Sequence, residues 1–280
     1  MAGYWNAFTR IVRTGVETRS ADDIVVSLER RATLERLAGR GIVLVAQETA
    51  TLSLEPADGR RGRPSAYAGR VLFHPAVAMA VGGDPLGPLT EECRVDEDEA
   101  ATRWIEIMRE IRRVIPRETA AVLIGSPVGD VYAVFVQARE RGVDLLMPAP
   151  RHVTVGDEWS DAAVALDPAA VLGGVTVSVP RDGSPLRRRA TLALYSRKVL
   201  LTPSGLGRAG DAAAGIELSA LRAVEPLPPH GASPVRWDLL TNLPAASVEQ
   251  AALLACWYSY RHPEERVRSG MAPQEFDGTS

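Results

Sequence analysis

The sequence predicts a mixed α/β fold with a β-rich insertion. Up to about residue 150, helix-like and strand-like segments follow the order helix, two strands, helix, strand, helix, strand. This alternation is typical of a mixed sheet covered by helices. Beyond residue 150, short β segments separated by Gly/Pro turns precede one more apolar strand and a final helix.

The first helix and the first two strands are predicted by capping, periodicity and turn signals. The stretch "SADDIVVSLERRATLERLAGRG" has Ser20 as a cap, apolar residues at helical spacing and a Gly-rich stop. In the strand "IVLVAQETATLSL" the apolar half gives way to polar residues that begin with Gln47 and Glu48. A basic Gly/Pro-rich loop, "EPADGRRGRPSAYAGR", separates it from the strand "RVLFHPAVAMAV".

The central segment contains a second strand that ends in a polar residue. An amphipathic helix, "ATRWIEIMREIRRVIP", is ended by Pro116. The stretch "AAVLIGSPVGDVYAVFV" then reads as a strand, a tight turn at Ser126 and a helix, and the strand "VDLLMPAP" follows. Because α/β proteins place their chemistry at strand ends, Glu48 and Ser126 are candidate site residues.

The second half is predicted to return to the core after its β segments. These segments are "GGVTVSVPR", "RRATLALYSRKVLLTPSG" and "GIELSALRAVEPLP". The apolar strand "VRWDLLTNLP" follows, and the helix "SVEQAALLACWYSYRH" has Ser247 as its cap with Gln250 three residues on. The tail "SGMAPQEFDGTS" is polar, and we expect it to be frayed.

Composition predicts a soluble globular protein. Of 280 residues, 46% are hydrophobic and 24% charged, and no apolar run approaches the roughly 20 residues that span a bilayer. The N-terminus lacks the apolar region of a signal peptide, so we expect a cytoplasmic protein without a membrane partner. Cys93 and Cys256 have no metal-ligand spacing. The net charge is −3, but arginine clusters near residues 10–19, 30–40, 59–63 and 187–189 favour considering DNA or RNA.

The order and spacing of several motifs resemble one protein family. The stretches "RRATLERLAGRGIVLVAQETATL", "VLIGSPVGDVYAVFVQARERGVDLLMPAPRH" and "VRWDLLTNLPAASVEQAALLACWYSYR" occur in that family's order, with the β-rich segment between the last two. Tyr258, Arg261 and Glu265 keep its Tyr-x2-Arg-x3-Glu spacing. The chain therefore resembles the DDE transposases of the insertion-sequence-four group, which includes the transposase of transposon five.

This resemblance implies a domain organisation. It predicts a ribonuclease-H-like mixed sheet, with acids at neighbouring strand ends and on a helix, and an inserted β-rich subdomain. Residues 1–40 would be a helical remnant of an N-terminal DNA-binding region and 41–150 the first part of the core. Residues 151–235 would form the inserted subdomain, 236–270 the returning core with the third-acid helix, and 271–280 the tail.

The resemblance also implies an activity and its residues. The family nicks DNA at transposon ends, forms hairpins and transfers strands, using Mg²⁺ or Mn²⁺. Its three catalytic positions correspond here to Glu48, Ser126 and Glu265. It further implies metal binding by Glu48 and Glu265, and DNA contacts by Tyr258 and Arg261.

Three departures from the family pattern predict impaired catalysis. Glu48 replaces an Asp and is one methylene longer, and Ser126 replaces the second acid. Asp130, four residues on, is an alternative metal ligand. Pro263 interrupts the third-acid helix. If the alignment slips by one residue, the acid becomes Glu264 and Arg268 falls near a basic, DNA-binding position.

Three functions stay open from the sequence. The chain is a catalytically impaired transposase, or a domesticated protein that binds DNA without cleaving it, or an α/β enzyme that uses Ser126. The last is the weakest because "GSPVG" lacks the G-x-S-x-G spacing of a nucleophile elbow. A homodimer is a further expectation, although the family's C-terminal dimerisation helices have no counterpart in this sequence.

Overall fold

The computed structural model describes residues 21–47, 50–53, 70–94, 100–125, 130–149, 152–155, 158–161, 170–181, 184–203 and 215–262. These residues form four helices: α1 Ala21–Leu37, α2 Ala100–Val114, α3 Val131–Arg141 and α4 Val248–Tyr258. Six strands lie in the first half: β1 Ile42–Gln47, β2 Ala50–Ser53, β3 Arg70–Met79, β4 Pro85–Arg94, β5 Ala120–Gly125 and β6 Val143–Pro148. Six more follow: β7 His152–Val155, β8 Glu158–Asp161, β9 Val171–Arg181, β10 Ser184–Leu201, β11 Ile216–Val224 and β12 Arg236–Thr241.

The described strands form one 12-stranded sheet. Its order is β2-β3-β1-β5-β6-β12-β11-β10-β7-β8, with β4 paired to β3 and β9 paired to β10. Strands β1, β5 and β6 are parallel neighbours, whereas β3 pairs antiparallel with β1, and β4 pairs antiparallel with β3. The predicted mixed α/β class is therefore confirmed.

The β-rich segment continues the core sheet. Strand β12 pairs with β6, and β11 and β10 follow it outward. The segment predicted as an inserted subdomain thus adds its strands to the edge of the sheet that begins at β1.

The parallel strands are buried on both faces. Val43 and Val45 of β1 face a cluster that includes side chains of α2 and α3. Leu44 and Ala46 point the other way, into a cluster with the apolar residues of α4 and β9. Burial on both faces explains why β1 and β5 are continuous apolar runs rather than alternating ones.

Capping residues set the ends of the helices that follow β5 and β12. Asp130 caps the start of α3, and Gly142 ends it with a φ of 66°. Ser247 and Gln250 form the predicted capping box at the start of α4. Among the described residues, no helix has the length and apolar character needed to span a membrane.

Helix α1 packs against the edge of the sheet. Arg36 donates a hydrogen bond to the carbonyl oxygen of Leu86 in β4 at 2.7 Å. Thr33 lies against Gly87, whose φ of +139° and lack of a side chain allow the approach. The described part of the predicted N-terminal remnant is thus a covering layer on β4.

Candidate strand-end site

Strands β1 and β5 end side by side. They pair in parallel from Ile42 with Ala120 to Gln47 with Gly125, without a shift in register. Positions 48 and 126 come directly after this last pair along the chain. Glu48 and Ser126 themselves lie outside the described residues. The structure therefore establishes the neighbouring strand ends from which these two candidate residues continue.

The last pair of residues is tightly packed. A Cβ atom added at Gly125 would overlap the carbonyl oxygen of Gln47, so a side chain at position 125 would push the strand ends apart. Gln47 is 4% exposed, and its Oε1 has no hydrogen-bond partner within the described part of the chain. In the sequence, Gln47 is recognisable as the end of the apolar run. Nothing in the sequence indicates that the missing side chain of Gly125 allows the two strand ends to approach closely.

The carboxylate of Asp130 caps the start of α3. Its Oδ1 accepts hydrogen bonds from the backbone N–H groups of Tyr132 at 3.0 Å and Ala133 at 3.3 Å. These bonds satisfy two of the free donors at the start of α3. A metal at this carboxylate would compete with both bonds. Its predicted metal role stays a prediction beside this observed capping role.

The end of α4 brings Tyr258 and Arg261 together with Trp237 of β12. The guanidinium carbon of Arg261 lies 4.5 Å from the centre of the Tyr258 ring and 5.3 Å from that of Trp237. The two rings meet edge to face at 5.2 Å. The positive guanidinium thus rests on two electron-rich rings. Trp237 was missed as a site residue because it reads as one more apolar residue in its strand.

Tyr258 is buried, at 5% exposure. Burial raises the pKa of its phenol, and the nearby Arg261 charge opposes this rise. Arg261 is half-buried and also donates to the Tyr258 carbonyl oxygen at 3.2 Å. Of the two predicted DNA contacts, the structure leaves part of Arg261 accessible and packs Tyr258 into the core.

The end of α4 also packs on the turn between β3 and β4. A Cβ atom at Gly83 would lie 2.9 Å from the Tyr260 ring, so the ring covers this turn. Because Leu44 pairs with Met79, the turn lies beyond the amino end of β1, opposite the end that leads to position 48. Glu264, Glu265 and Arg268 lie outside the described residues.

The described residues do not supply a metal site. Across the described ranges, no group of three or more His, Cys, Asp or Glu side chains could hold a metal ion. At the strand ends the described side chains are an amide, Gln47, and a glycine, Gly125. These do not match the carboxylates that Mg²⁺ or Mn²⁺ prefers.

Several of the predicted basic residues have internal partners. Arg188 forms two bonds to the Glu225 carboxylate, at 2.6 and 2.7 Å. Arg187 donates to Ser178, and Arg31 pairs with Glu35 at an exposed site. Clusters that look like DNA-binding surfaces in the sequence are thus partly structural.

Taken together, the geometry defines a mixed α/β protein with two parallel strand ends in register and a separate arginine–aromatic cluster. No family model matches the chain.

Proposed function

We propose that this protein is a transposase-type, ribonuclease-H-like protein that binds DNA without cleaving it. The observation that carries the proposal is the register of β1 and β5. Their carboxyl ends lie side by side, and the chain continues from them to Glu48 and to Ser126.

The arrangement of the sheet supports the fold part of the proposal. A ribonuclease-H-like core is a mixed sheet with acids at neighbouring strand ends and on a helix. Here β1 pairs antiparallel with β3 on one side and parallel with β5 on the other, and β6 pairs parallel with β5. Helix α4 returns after the β-rich segment and packs on the sheet face with Leu44 and Ala46 of β1, and its last residues lie at the turn between β3 and β4.

The residue at position 126 supports the loss of cleavage. Two-metal phosphoryl transfer needs carboxylates that bridge both ions, and a neutral serine hydroxyl is a poor substitute. Glu48 adds a methylene where the family has Asp, which displaces its carboxylate by about 1 Å, a costly error in such a site.

The arginines support retention of DNA binding. Arginine makes bidentate contacts with phosphate, and Arg261 is half-buried and held on two aromatic rings. The expected partner is duplex DNA with the sequence of transposon ends.

The test is fluorescence anisotropy of a labelled duplex that carries the inverted repeats flanking the gene, at several salt concentrations. We expect tighter binding than to a scrambled duplex, and an affinity that falls steeply with salt because several phosphates are contacted. A supercoiled plasmid incubated with Mg²⁺ or Mn²⁺ should remain unnicked. Absence of binding at low salt would refute DNA binding, and metal-dependent nicking would refute the loss of catalysis.

A further inference from the structure

Strand β9 and the first part of β10 form a two-stranded ribbon. They pair in antiparallel register, with Ala190 opposite Val177 and Thr191 opposite Thr176. The side chains of Val177, Val179 and Ala190 point inward and are buried with α4. The opposite surface, here called the outer ribbon face, consists of Gly174, Thr176, Arg187, Arg189, Thr191 and Ala193, and Ser178 on the same side is buried and bonded to Arg187.

The two strands of this ribbon are strongly cationic. Within the ribbon, β9 contributes Arg181, the first part of β10 contributes Arg187, Arg188 and Arg189, and neither strand contains an acid. The whole chain carries a net charge of −3. Positive charge is therefore concentrated in this part of a slightly acidic protein, which favours an anionic partner.

One arginine of the outer ribbon face stands out. Arg188 is neutralised by Glu225, and Lys198 pairs with Glu217 at 2.9 Å. Arg189 is exposed, and within the described ranges it forms no ion pair. Its neighbour Arg187 is held over Ser178 by bonds of 3.1 and 2.7 Å. A fixed and a free guanidinium thus lie next to each other on one face.

The other residues of the outer ribbon face are small. Gly174 and Ala193 are directly opposite each other, and the next pair outward, Thr176 and Thr191, joins hydroxyl groups at 3.1 Å. Small side chains let a ribbon backbone approach a partner closely, and hydroxyl groups bond readily to phosphate oxygens.

The inner face keeps the ribbon in place. Val248 at the start of α4 fills the space left by the missing side chain of Gly173. Leu192 and Leu194 are fully buried in the same cluster. A ribbon fixed in this way can bind without a large loss of conformational entropy.

We infer that the outer ribbon face is a docking surface for the phosphate backbone of duplex DNA. Arg189 contacts a phosphate, and one hydroxyl of the hydrogen-bonded pair Thr176 and Thr191 donates to a neighbouring phosphate oxygen. This inference rests on the proposed function, and it assigns a binding surface away from the strand ends and from Arg261.

The test compares three variants of the full chain in the anisotropy assay. Arg189→Glu reverses the charge on the outer ribbon face, and Thr176→Glu adds a negative charge there without removing an arginine. Arg139→Glu makes the same charge change at an exposed position of α3 and serves as the matched control. Thermal unfolding of each variant checks that it is folded.

We expect Arg189→Glu and Thr176→Glu each to weaken binding several-fold, and Arg189→Glu to lower the salt slope by about one. Arg139→Glu should bind like the unmodified protein. If all three variants bind equally well, the ribbon is not the docking surface, although the proposed DNA binding stands. If the unmodified protein binds no duplex, the ribbon inference and the proposed function both fail. If Arg189→Glu does not fold, the result with Thr176→Glu decides.

Discussion

At the scale of single residues, the contact between Gly125 and the backbone of Gln47 limits what position 125 can be. A Cβ atom there overlaps a carbonyl oxygen of the neighbouring strand, which a rotamer change cannot relieve. We expect Gly125→Ala to lower the free energy of unfolding by about 1–3 kcal/mol, as for other overpacked sites. Urea unfolding measures the change.

Gly41 provides the control for this substitution. A Cβ atom at Gly41 meets nothing within 4 Å, so Gly41→Ala should leave stability unchanged or raise it by about 0.4–1 kcal/mol. Equal effects of the two substitutions would mean that β1 and β5 are not held as closely as described.

Asp130 is a second residue for which a structural role, capping α3, can be tested apart from its predicted metal binding. Its carboxylate caps α3, so Asp130→Ala should cost about 0.5–2 kcal/mol of stability. Asp130→Ser should retain most of this stability because a hydroxyl also accepts from the first turn. Chemical denaturation of the two variants makes the comparison. A loss with Ser as large as that with Ala would contradict the capping role.

At the scale of elements, hydrogen bonds of Arg188 and Glu225 anchor the connection between β11 and β12. Glu225, 4% exposed, accepts two bonds from Arg188 and one from the Val235 N–H at 3.1 Å. Arg188 also donates to the carbonyl oxygen of Ser233. Removing the charge of Glu225 leaves a mostly buried guanidinium without its partner, and we expect Glu225→Gln to cost about 3–5 kcal/mol near neutral pH.

The stability cost of Glu225→Gln should decrease as the pH falls. The bonds from Arg188 hold the pKa of Glu225 below its usual range, so the ion pair stabilises the fold above the unfolded pKa of about 4.3. This stabilisation is lost as the pH falls through the lower, folded pKa. The difference between the unmodified protein and Glu225→Gln should therefore shrink in acid, as measured by urea unfolding from pH 7 to pH 3.

The pair Lys198–Glu217 is the control at this scale. It has a similar distance of 2.9 Å, but its side chains are 60% and 69% exposed. Glu217→Gln should change stability by less than about 1 kcal/mol at any pH. If Glu225→Gln lowers stability no more than Glu217→Gln does, the Arg188–Glu225 ion pair does not stabilise the connection between β11 and β12.

The sequence predicted these elements well where the signal is local. The apolar run 42–46, the cap at Ser247 and the proline after α2 each act within a few residues, and all three elements form where expected. Ion pairs between residues that are distant in sequence could not be predicted from local patterns. The partner of Arg188 lies 37 residues away, and the "RRR" motif therefore resembled a solvated basic patch.

The candidate site was predictable only in its backbone setting. The resemblance implied neighbouring strand ends, and β1 and β5 do end side by side, whereas the roles of Glu48 and Ser126 stay predictions. The burial of Tyr258 and its contact with Trp237 could not be read from the chain, because they depend on how α4 crosses the sheet.

At the scale of the whole molecule, one sheet joins the strand ends, the arginine–aromatic cluster and the ribbon. The strand ends follow β1 and β5, Trp237 lies on β12, and the outer ribbon face lies on β9 and β10. A duplex that contacts more than one of these surfaces would therefore be held by a single continuous scaffold. The proposed function requires that positions 48 and 126, which follow the paired residues Gln47 and Gly125 along the chain, serve as the first and second acid positions of a two-metal site.

Isothermal titration calorimetry of Mn²⁺ with a double variant tests this claim most directly. Glu48→Asp with Ser126→Asp restores two aspartates, whereas Glu48→Asp with Ser126→Asn has the same shape without the second charge. We expect saturable Mn²⁺ binding by the first variant and none by the second or by the unmodified protein. Equal Mn²⁺ binding by both variants, or no binding by the Asp variant while it remains folded, would show that positions 48 and 126 do not form a metal site.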